Sequence, residues 1–145
     1  MRLKLKRTPG VFLVGFMGTG KSTVGRVLAD DVGWKFVDLD DEIERQEGLT
    51  VPQIFDQRGE QAFRDLESAM LAKFVKLVQC GRPHVISLGG GAFLSDHNFT
   101  LVTNNGVSVW LDCPLDVVER RVAGSEATPV RYRPAPPRQC AHRPC

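Results

Sequence analysis

A glycine-rich loop between an apolar strand and a helix limits this chain of 145 residues to a small set of folds. Residues 15–23 read Gly-Phe-Met-Gly-Thr-Gly-Lys-Ser-Thr and satisfy the G-x-x-x-x-G-K-[ST] pattern of the phosphate-binding P-loop. The apolar residues 11–14 before the loop predict a buried strand, and residues 22–32 after it predict a helix. Because both flanks have the required type, a chance glycine-rich turn is the weaker interpretation.

The composition of this loop suits a triphosphate. Glycines allow backbone N–H groups to approach an anion closely, and the N-terminus of the following helix adds partial positive charge. Lys21 can reach the outer phosphates, and the Ser22 hydroxyl can ligate Mg²⁺. The loop therefore predicts a nucleotide site.

Strand and helix patterns alternate along the chain. Strands are predicted at residues 11–14, 35–38, 84–88 and 107–111. Helices are predicted at residues 22–32, 41–47, 51–57, 60–78, 96–103 and 115–122, with a capping box of Thr50 and Gln53 before the third. This alternation indicates an α/β fold with a parallel sheet covered on both faces, and ligands collect at the carboxyl ends of such strands.

Charge and hydropathy exclude several classes of partner. The net charge is +2, but residues 129–145 hold four arginines and no acid, which leaves 15 cations against 17 acids in residues 1–128. We therefore expect no nucleic-acid partner. No apolar run is long enough to span a bilayer, and the basic start lacks the apolar core of a secretory signal, so we expect no membrane association and a cytoplasmic location.

Acidic side chains follow the second predicted strand. Asp38 and Asp40 are one residue apart, so at a strand end they would project to the same side. One carboxylate could reach a metal ion or its waters, and the other could accept a substrate hydroxyl. An acid at this place is also typical of a helix N-cap.

Two further segments could recognise an organic acid. Arg64, in the segment Gly-Glu-Gln-Ala-Phe-Arg of residues 59–64, can form a bidentate pair with a carboxylate, although in isolation it reads as a solvated helix residue. Gly89, Gly90 and Gly91, here called the triple-glycine loop, follow the third predicted strand. Their backbone could donate to an anion or pack on a flat ligand, or simply form a flexible turn.

In order and spacing, these four groups resemble the shikimate kinase family over about residues 10–125. The resemblance implies a three-layer P-loop kinase fold with sheet order 2-3-1-4, the family's fifth strand being missing from this chain. It also implies transfer of the γ-phosphoryl group of ATP to the 3-hydroxyl of shikimate, giving shikimate 3-phosphate for chorismate and aromatic amino-acid synthesis.

The same resemblance implies a role for each residue that matches the family pattern. Lys21, Asp38 and Asp40 are the implied catalytic residues, with Mg²⁺ held by Ser22 and, through water, by Asp38. Asp40 would bind substrate hydroxyls and take the proton, and Arg64 would bind the shikimate carboxylate together with the backbone of Gly89, Gly90 and Gly91. The implied nucleotide-binding residues are Gly18, Thr19, Gly20, Lys21, Ser22, Thr23 and, near the adenine, Arg121.

The chain departs from the family pattern after about residue 128. Counting on from Arg121 places Thr128 where the family has a lid arginine, and the prolines and arginines of residues 129–145 predict a disordered tail. We therefore expect an incomplete kinase domain at residues 1–128, truncated or frame-shifted, with impaired turnover. The fourth strand would lie exposed at the sheet edge, so a protein that is monomeric when complete would be prone to associate.

Two other functions stay open at this point. A non-catalytic nucleotide-binding protein would retain the P-loop without the lid. A kinase for another small polyol acid, such as gluconate, would use the same phosphate-binding loop with a different acceptor pocket.

Overall fold

A parallel sheet of four strands organises residues 10–123, which are the residues that the computed structural model describes. The strands are β1 (Gly10–Val14), β2 (Lys35–Asp38), β3 (His84–Ser87) and β4 (Gly106–Trp110). Their order is β2-β3-β1-β4, and each neighbouring pair is parallel. Val11 of β1 lies opposite Val85 of β3, and Gly10 of β1 lies opposite Gly106 of β4. The α/β class and the predicted strand order are confirmed.

Five α-helices and one short 3₁₀ turn connect and cover the described strands. They are α1 (Lys21–Val32), α2 (Leu39–Glu47), α3 (Val51–Gln79), the 3₁₀ turn Ala92–Leu94, α4 (Asp96–Asn105) and α5 (Leu115–Ala123). The two helices predicted at residues 51–57 and 60–78 run on as α3, which is kinked at Gly59, where φ is 86°. Glycine tolerates this left-handed conformation, so the predicted break lies where the chain bends.

Local capping sets where the helices begin and end. Before α3, the Thr50 hydroxyl accepts from the Gln53 amide at 3.4 Å, and the Gln53 side chain accepts from the Thr50 amide at 2.9 Å. This is the predicted capping box. At the C-terminal end of α1, Gly33 takes a left-handed conformation with φ of 71°, which is a common way for a helix to end.

The core lies in two layers because successive side chains of a strand point to opposite faces. On β1, Phe12 and Val14 join the larger cluster under α2, α3 and α4, whereas Leu13 joins the smaller cluster under α1. The apolar stripe predicted on α3 faces the larger cluster; its members are Phe63, Leu66, Met70, Phe74 and Leu77. The sheet is therefore covered on both faces, which makes the fold three-layered.

The edge of the sheet at β4 carries exposed apolar side chains. Val107, Val109 and Trp110 are 49%, 36% and 59% exposed. Within residues 10–123, no helix is both long and apolar enough to cross a bilayer. Thr128 and the tail predicted at residues 129–145 lie outside the described residues.

Gly25 allows α1 to pack closely on the sheet, so we expect Gly25→Ala to lower the free energy of unfolding. A Cβ at this position would overlap the Phe36 ring and approach Leu13 Cδ1 to 2.9 Å. Overpacking costs about 1–3 kcal/mol, against a gain of about 1 kcal/mol in helix propensity. Urea unfolding of Gly25→Ala, with and without Phe36→Leu, measures the effect. The cost should shrink when the ring is removed; an equal cost in both backgrounds would contradict this packing argument.

Candidate functional site

The segments singled out from the sequence meet at one edge of the sheet. The P-loop follows β1, Asp38 ends β2, and the triple-glycine loop lies two residues beyond β3. These three strands are adjacent and parallel, so their carboxyl ends lie side by side. Topology alone therefore brings the predicted nucleotide and acceptor residues into one region.

The P-loop wraps around the N-terminus of α1. Gly18 and Gly20 have φ of 80° and 88°, and the Thr19 hydroxyl donates to the Phe16 carbonyl at 2.8 Å to brace the turn. Gly20 caps α1 without a side-chain hydrogen bond. The first amides of a helix lack intrahelical acceptors, so this end of α1 presents donors and partial positive charge to an anion.

Lys21 lies at the mouth of this loop. Its Nζ donates to the carbonyls of Gly15 and Phe16, both at 2.8 Å. Burial lowers the pKa of Lys21, and the carboxylates of Asp40 and Asp38 oppose that shift. The ammonium group is therefore within electrostatic reach of both acids.

Asp38 connects the P-loop helix to α2. Its Oδ2 accepts the Ser22 hydroxyl at 2.6 Å, and its Oδ1 accepts the amides of Asp40 at 3.0 Å and Asp41 at 3.5 Å. The acid is thus the N-cap of α2, as one interpretation of this position predicted, and also a partner of Ser22 at the start of α1. A hydroxyl and a carboxylate this close are oxygen ligands of the kind Mg²⁺ takes in phosphate sites, where it uses few protein ligands.

Asp40 does not lie on the strand. The expectation that it shares a strand face with Asp38 is wrong, because β2 ends at Asp38 and Asp40 lies in the first turn of α2. Its Oδ1 is buried with no hydrogen-bond partner among the described residues. Burial raises the pKa of Asp40 to about 7, with further contributions from Asp38 and Glu67 that outweigh the opposing charge of Lys21.

The triple-glycine loop packs against the charged side chains of α2 and α3. A Cβ at Gly89 would lie 2.8 Å from Glu67 Oε1 and 3.0 Å from Asp40 Oδ1, and a Cβ at Gly91 would overlap the Arg64 guanidinium. A Cβ at Gly90 would meet no atom within 4 Å. Glycine therefore lets both ends of the loop approach these charged groups closely, and its middle is open to solvent.

Arg64 is held by acids of its own helix. Its Nη1 donates to Glu67 Oε2 at 2.9 Å, and its Nη2 lies 3.6 Å from Glu60 Oε1. The guanidinium also lies over the Phe63 ring, 5.4 Å from its centroid. The side chain of Arg64 remains 33% exposed, so this cation is oriented by its neighbours and still accessible to a ligand.

Glu67 is a site residue that the sequence analysis missed. It is only 1% exposed, and burial raises its pKa, opposed by the hydrogen bond and charge of Arg64. The available signal was its position on α3, one turn after Arg64 and between Phe63 and Met70 on the apolar stripe. A glutamate on a buried helical face needs a partner, which points to the nearby arginine.

Arg121 reaches the P-loop from α5. Its Nη1 donates to the Gly18 carbonyl at 3.0 Å, and Val118 and Val122 of the same helix pack beside Gly18. Two groups result. The nucleotide group comprises Gly18, Thr19, Gly20, Lys21, Ser22, Thr23, Asp38 and Arg121. The acceptor group comprises Asp40, Arg64, Glu67, Gly89, Gly90 and Gly91.

Comparison with known proteins identifies a family at both the sequence and the structure level. The profile described as shikimate kinase matches residues 17–143. Curated relatives named shikimate kinase include one from Persephonella marina, 43% identical over 83% of this chain and 71% of the relative, and one from Ruegeria pomeroyi, 44% identical over 88% and 63%. The chain therefore spans roughly two thirds of their length.

Solved structures show the same likeness. Shikimate kinase from Acinetobacter baumannii in complex with shikimate superposes with a TM-score of 0.74 at 38% identity, over 79% of this chain and 62% of that one. Shikimate kinase from Bacteroides thetaiotaomicron superposes with a TM-score of 0.75 at 35% identity, over 82% and 65%.

Asp40→Asn is expected to stabilise the fold at neutral pH and to have little effect near pH 4. The pKa of Asp40 rises from 3.8 to about 7 on folding, so between these values the folded chain holds a proton that the unfolded chain releases. The stability of the unsubstituted chain therefore falls as the pH rises through this interval, and asparagine removes that loss. Urea unfolding at several pH values from about 4 to about 8 measures the difference.

Asp31→Asn, an exposed acid-to-amide exchange on α1, controls for the general effect of losing a negative charge. A stability gain for Asp40→Asn that is the same at every pH would contradict the burial of an ionisable group at this position.

Proposed function

Because the chain belongs to the shikimate kinase family, we propose that it transfers the γ-phosphoryl group of ATP to the 3-hydroxyl of shikimate, giving shikimate 3-phosphate. One observation carries the proposal for this chain's own residues. The guanidinium of Arg64 and the carboxyl of Asp40 both contact the triple-glycine loop, and Asp40 also faces the P-loop lysine. A site for an organic acid would thus adjoin a phosphate-binding loop.

The acceptor side is built to hold a small carboxylated polyol. Arg64 would pair with the shikimate carboxylate, with Glu67 keeping the guanidinium in place. The open backbone of the triple-glycine loop would lie against the ring and donate to the same acid. Such fixed positioning supplies much of the rate in phosphoryl transfer, because little covalent chemistry is left to the protein.

Asp40 would bind the reacting hydroxyl and accept its proton. A pKa of about 7 places this carboxyl near the pH at which a general base is most effective. A bound nucleotide would draw Lys21 away from the loop carbonyls toward the phosphates, which would change the charge that Asp40 faces. The proton therefore has an acceptor next to the attacking oxygen.

The nucleotide side would hold MgATP. Amides of the P-loop and of the first turn of α1, with Lys21 and Thr23, would surround the phosphates, and Arg121 would lie beside them near the base. Ser22 would ligate Mg²⁺, with Asp38 acting through water. When bound, the metal ion neutralises charge that develops on the transferring group.

Binding and turnover test different parts of the proposal. Thr128, in the place of the family's lid arginine, lies outside the described residues, and loss of such an arginine costs about 10³-fold or more in rate. We therefore propose that binding of ATP and shikimate is retained while turnover is impaired. A coupled assay with shikimate, and with gluconate as an alternative acid, separates this function from a different kinase or from nucleotide binding alone.

Arg64→Gln is expected to weaken shikimate binding by about 10- to 100-fold, as loss of a charged hydrogen-bond pair predicts, and to leave ATP binding nearly unchanged. Isothermal titration with each ligand measures both constants. Arg58→Gln is the matched control, because Arg58 lies on the same helix and pairs with Glu47 at 2.5 Å, outside the acceptor group. Equal losses for both variants would count against the proposed carboxylate pocket.

Ser22→Ala is expected to weaken ATP binding in the presence of Mg²⁺ and to have little effect when the metal is chelated. The hydroxyl is proposed to act on the metal, so its contribution needs the ion. Titration of ATP with Mg²⁺ and with EDTA gives the comparison, and Ser22→Thr keeps the hydroxyl as a control. A loss of the same size under both conditions would show that the hydroxyl acts on something other than the metal.

A further inference from the structure

We propose that Asn98, in the first turn of α4, is a positioning residue that holds the triple-glycine loop in the conformation that the acid-binding pocket requires. The identity of the acid, shikimate, rests on the proposed function. The holding of the loop stands on the contacts of Asn98 itself, which touches none of the residues assigned to ligands.

The side chain of Asn98 hydrogen-bonds to the backbone just beyond the triple-glycine loop. It is 1% exposed, and its Nδ2 donates to the carbonyl of Ala92 at 3.0 Å. Ala92 is fully buried and directly follows the loop, and its own amide donates to the Gly89 carbonyl at 3.1 Å. Asn98 is thus one hydrogen bond from the residue that closes the loop.

The backbone of Asn98 is held by the N-cap of α4. The Asn98 amide donates to the Ser95 hydroxyl at 3.4 Å, in the cap that starts α4. The turn that links loop and helix is closed by the Leu94 amide, which donates to the Gly91 carbonyl at 3.1 Å. The carbonyl of Ala92 is therefore held against a helix end whose position is already set.

The loop needs an external support because glycine has no side chain to anchor it. Its two ends lie against charged side chains, since Gly89 lies next to Asp40 and Glu67 and Gly91 lies against the Arg64 guanidinium. A small shift would close the space beside Arg64 or separate the loop from Asp40. The hydrogen bond from Asn98 to the Ala92 carbonyl opposes such a shift.

The other polar atom of Asn98 indicates that the residue is more than core filling. Its Oδ1 is buried with no hydrogen-bond partner among the described residues, which disfavours an amide at a site where an apolar side chain would pack as well. The amide orientation is set by the Ala92 carbonyl, which can only accept. Nδ2 is therefore the atom that acts in this role. Its partner is the carbonyl of Ala92, the residue that follows the triple-glycine loop.

Asn98→Leu tests this role, with Asn105→Leu as the matched control. Asn105 lies at the other end of α4, where its Nδ2 donates to the Leu101 carbonyl at 2.7 Å and its Oδ1 accepts from Gln79 Nε2 at 2.8 Å, so the control loses a bond to a helix carbonyl and a second bond, both away from the loop. Amide hydrogen exchange of residues 90–94 reports on the loop, and isothermal titration gives the dissociation constants for shikimate and for ATP.

Loss of one hydrogen bond in Asn98→Leu is expected to speed exchange in residues 90–94 by about tenfold and to weaken shikimate binding by about tenfold, with ATP binding changed less than about twofold. Asn105→Leu should change none of the three. Unchanged loop exchange in Asn98→Leu, or equal weakening of both ligands, would overturn the proposal.

A second variant keeps the test decisive if Asn98→Leu folds poorly. Asn98→Ser retains a small polar side chain that is too short to reach Ala92. It should show the same faster exchange and weaker shikimate binding, with ATP binding nearly unchanged. If the unsubstituted chain binds no shikimate, the proposed function fails. The exchange comparison then still decides whether Asn98 holds the loop.

Discussion

The two oxygens of the Asp38 carboxylate join the nucleotide side of this site to its acceptor side. Oδ2 accepts the hydroxyl of Ser22 at the start of α1, and Oδ1 caps α2, which carries Asp40 in its first turn. The distance between the P-loop and the acceptor carboxyl is therefore set by one rigid side chain at the end of β2. A helix N-cap contributes about 1 kcal/mol to stability, and here the same group also places Asp40, the carboxyl proposed to take the proton.

Burial determines the charges around that carboxylate. Asp40 and Glu67 have raised pKa values although Lys21 and Arg64 are close, because the desolvation of each acid outweighs the attraction of its cationic neighbour. Lys21 shows the converse, since burial lowers its pKa against the pull of two acids. Ionisable groups whose pKa values shift toward the neutral form at one sheet edge are typical of sites that bind charged ligands and move protons. The triple-glycine loop packs against two of these acids.

Most of the fold could be predicted because its signals are local. The strands are short apolar runs, α3 shows its buried face by three- and four-residue spacing, and Gly59 breaks that helix where the pattern pauses. Two features of the site could not be obtained in this way. Asp40 was placed on a strand because the capping role of Asp38 depends on where β2 ends. Glu67 was not singled out, since its neighbours come from the triple-glycine loop and α2 as well as from α3.

By itself, the sequence determined the phosphate-binding loop, the order of strands and helices, and the residue types available at each strand end. These follow from backbone conformation and from the periodicity of apolar residues, which act within a few positions of the chain. Only the tertiary structure decided that Glu67 orients Arg64, that burial raises the pKa of Asp40 to about 7, and that the Asn98 side chain binds the Ala92 carbonyl beside the loop. The two hydrogen bonds join residues close in the chain, but the burial of Asp40, Glu67 and Asn98 comes from packing between elements, which no local pattern records.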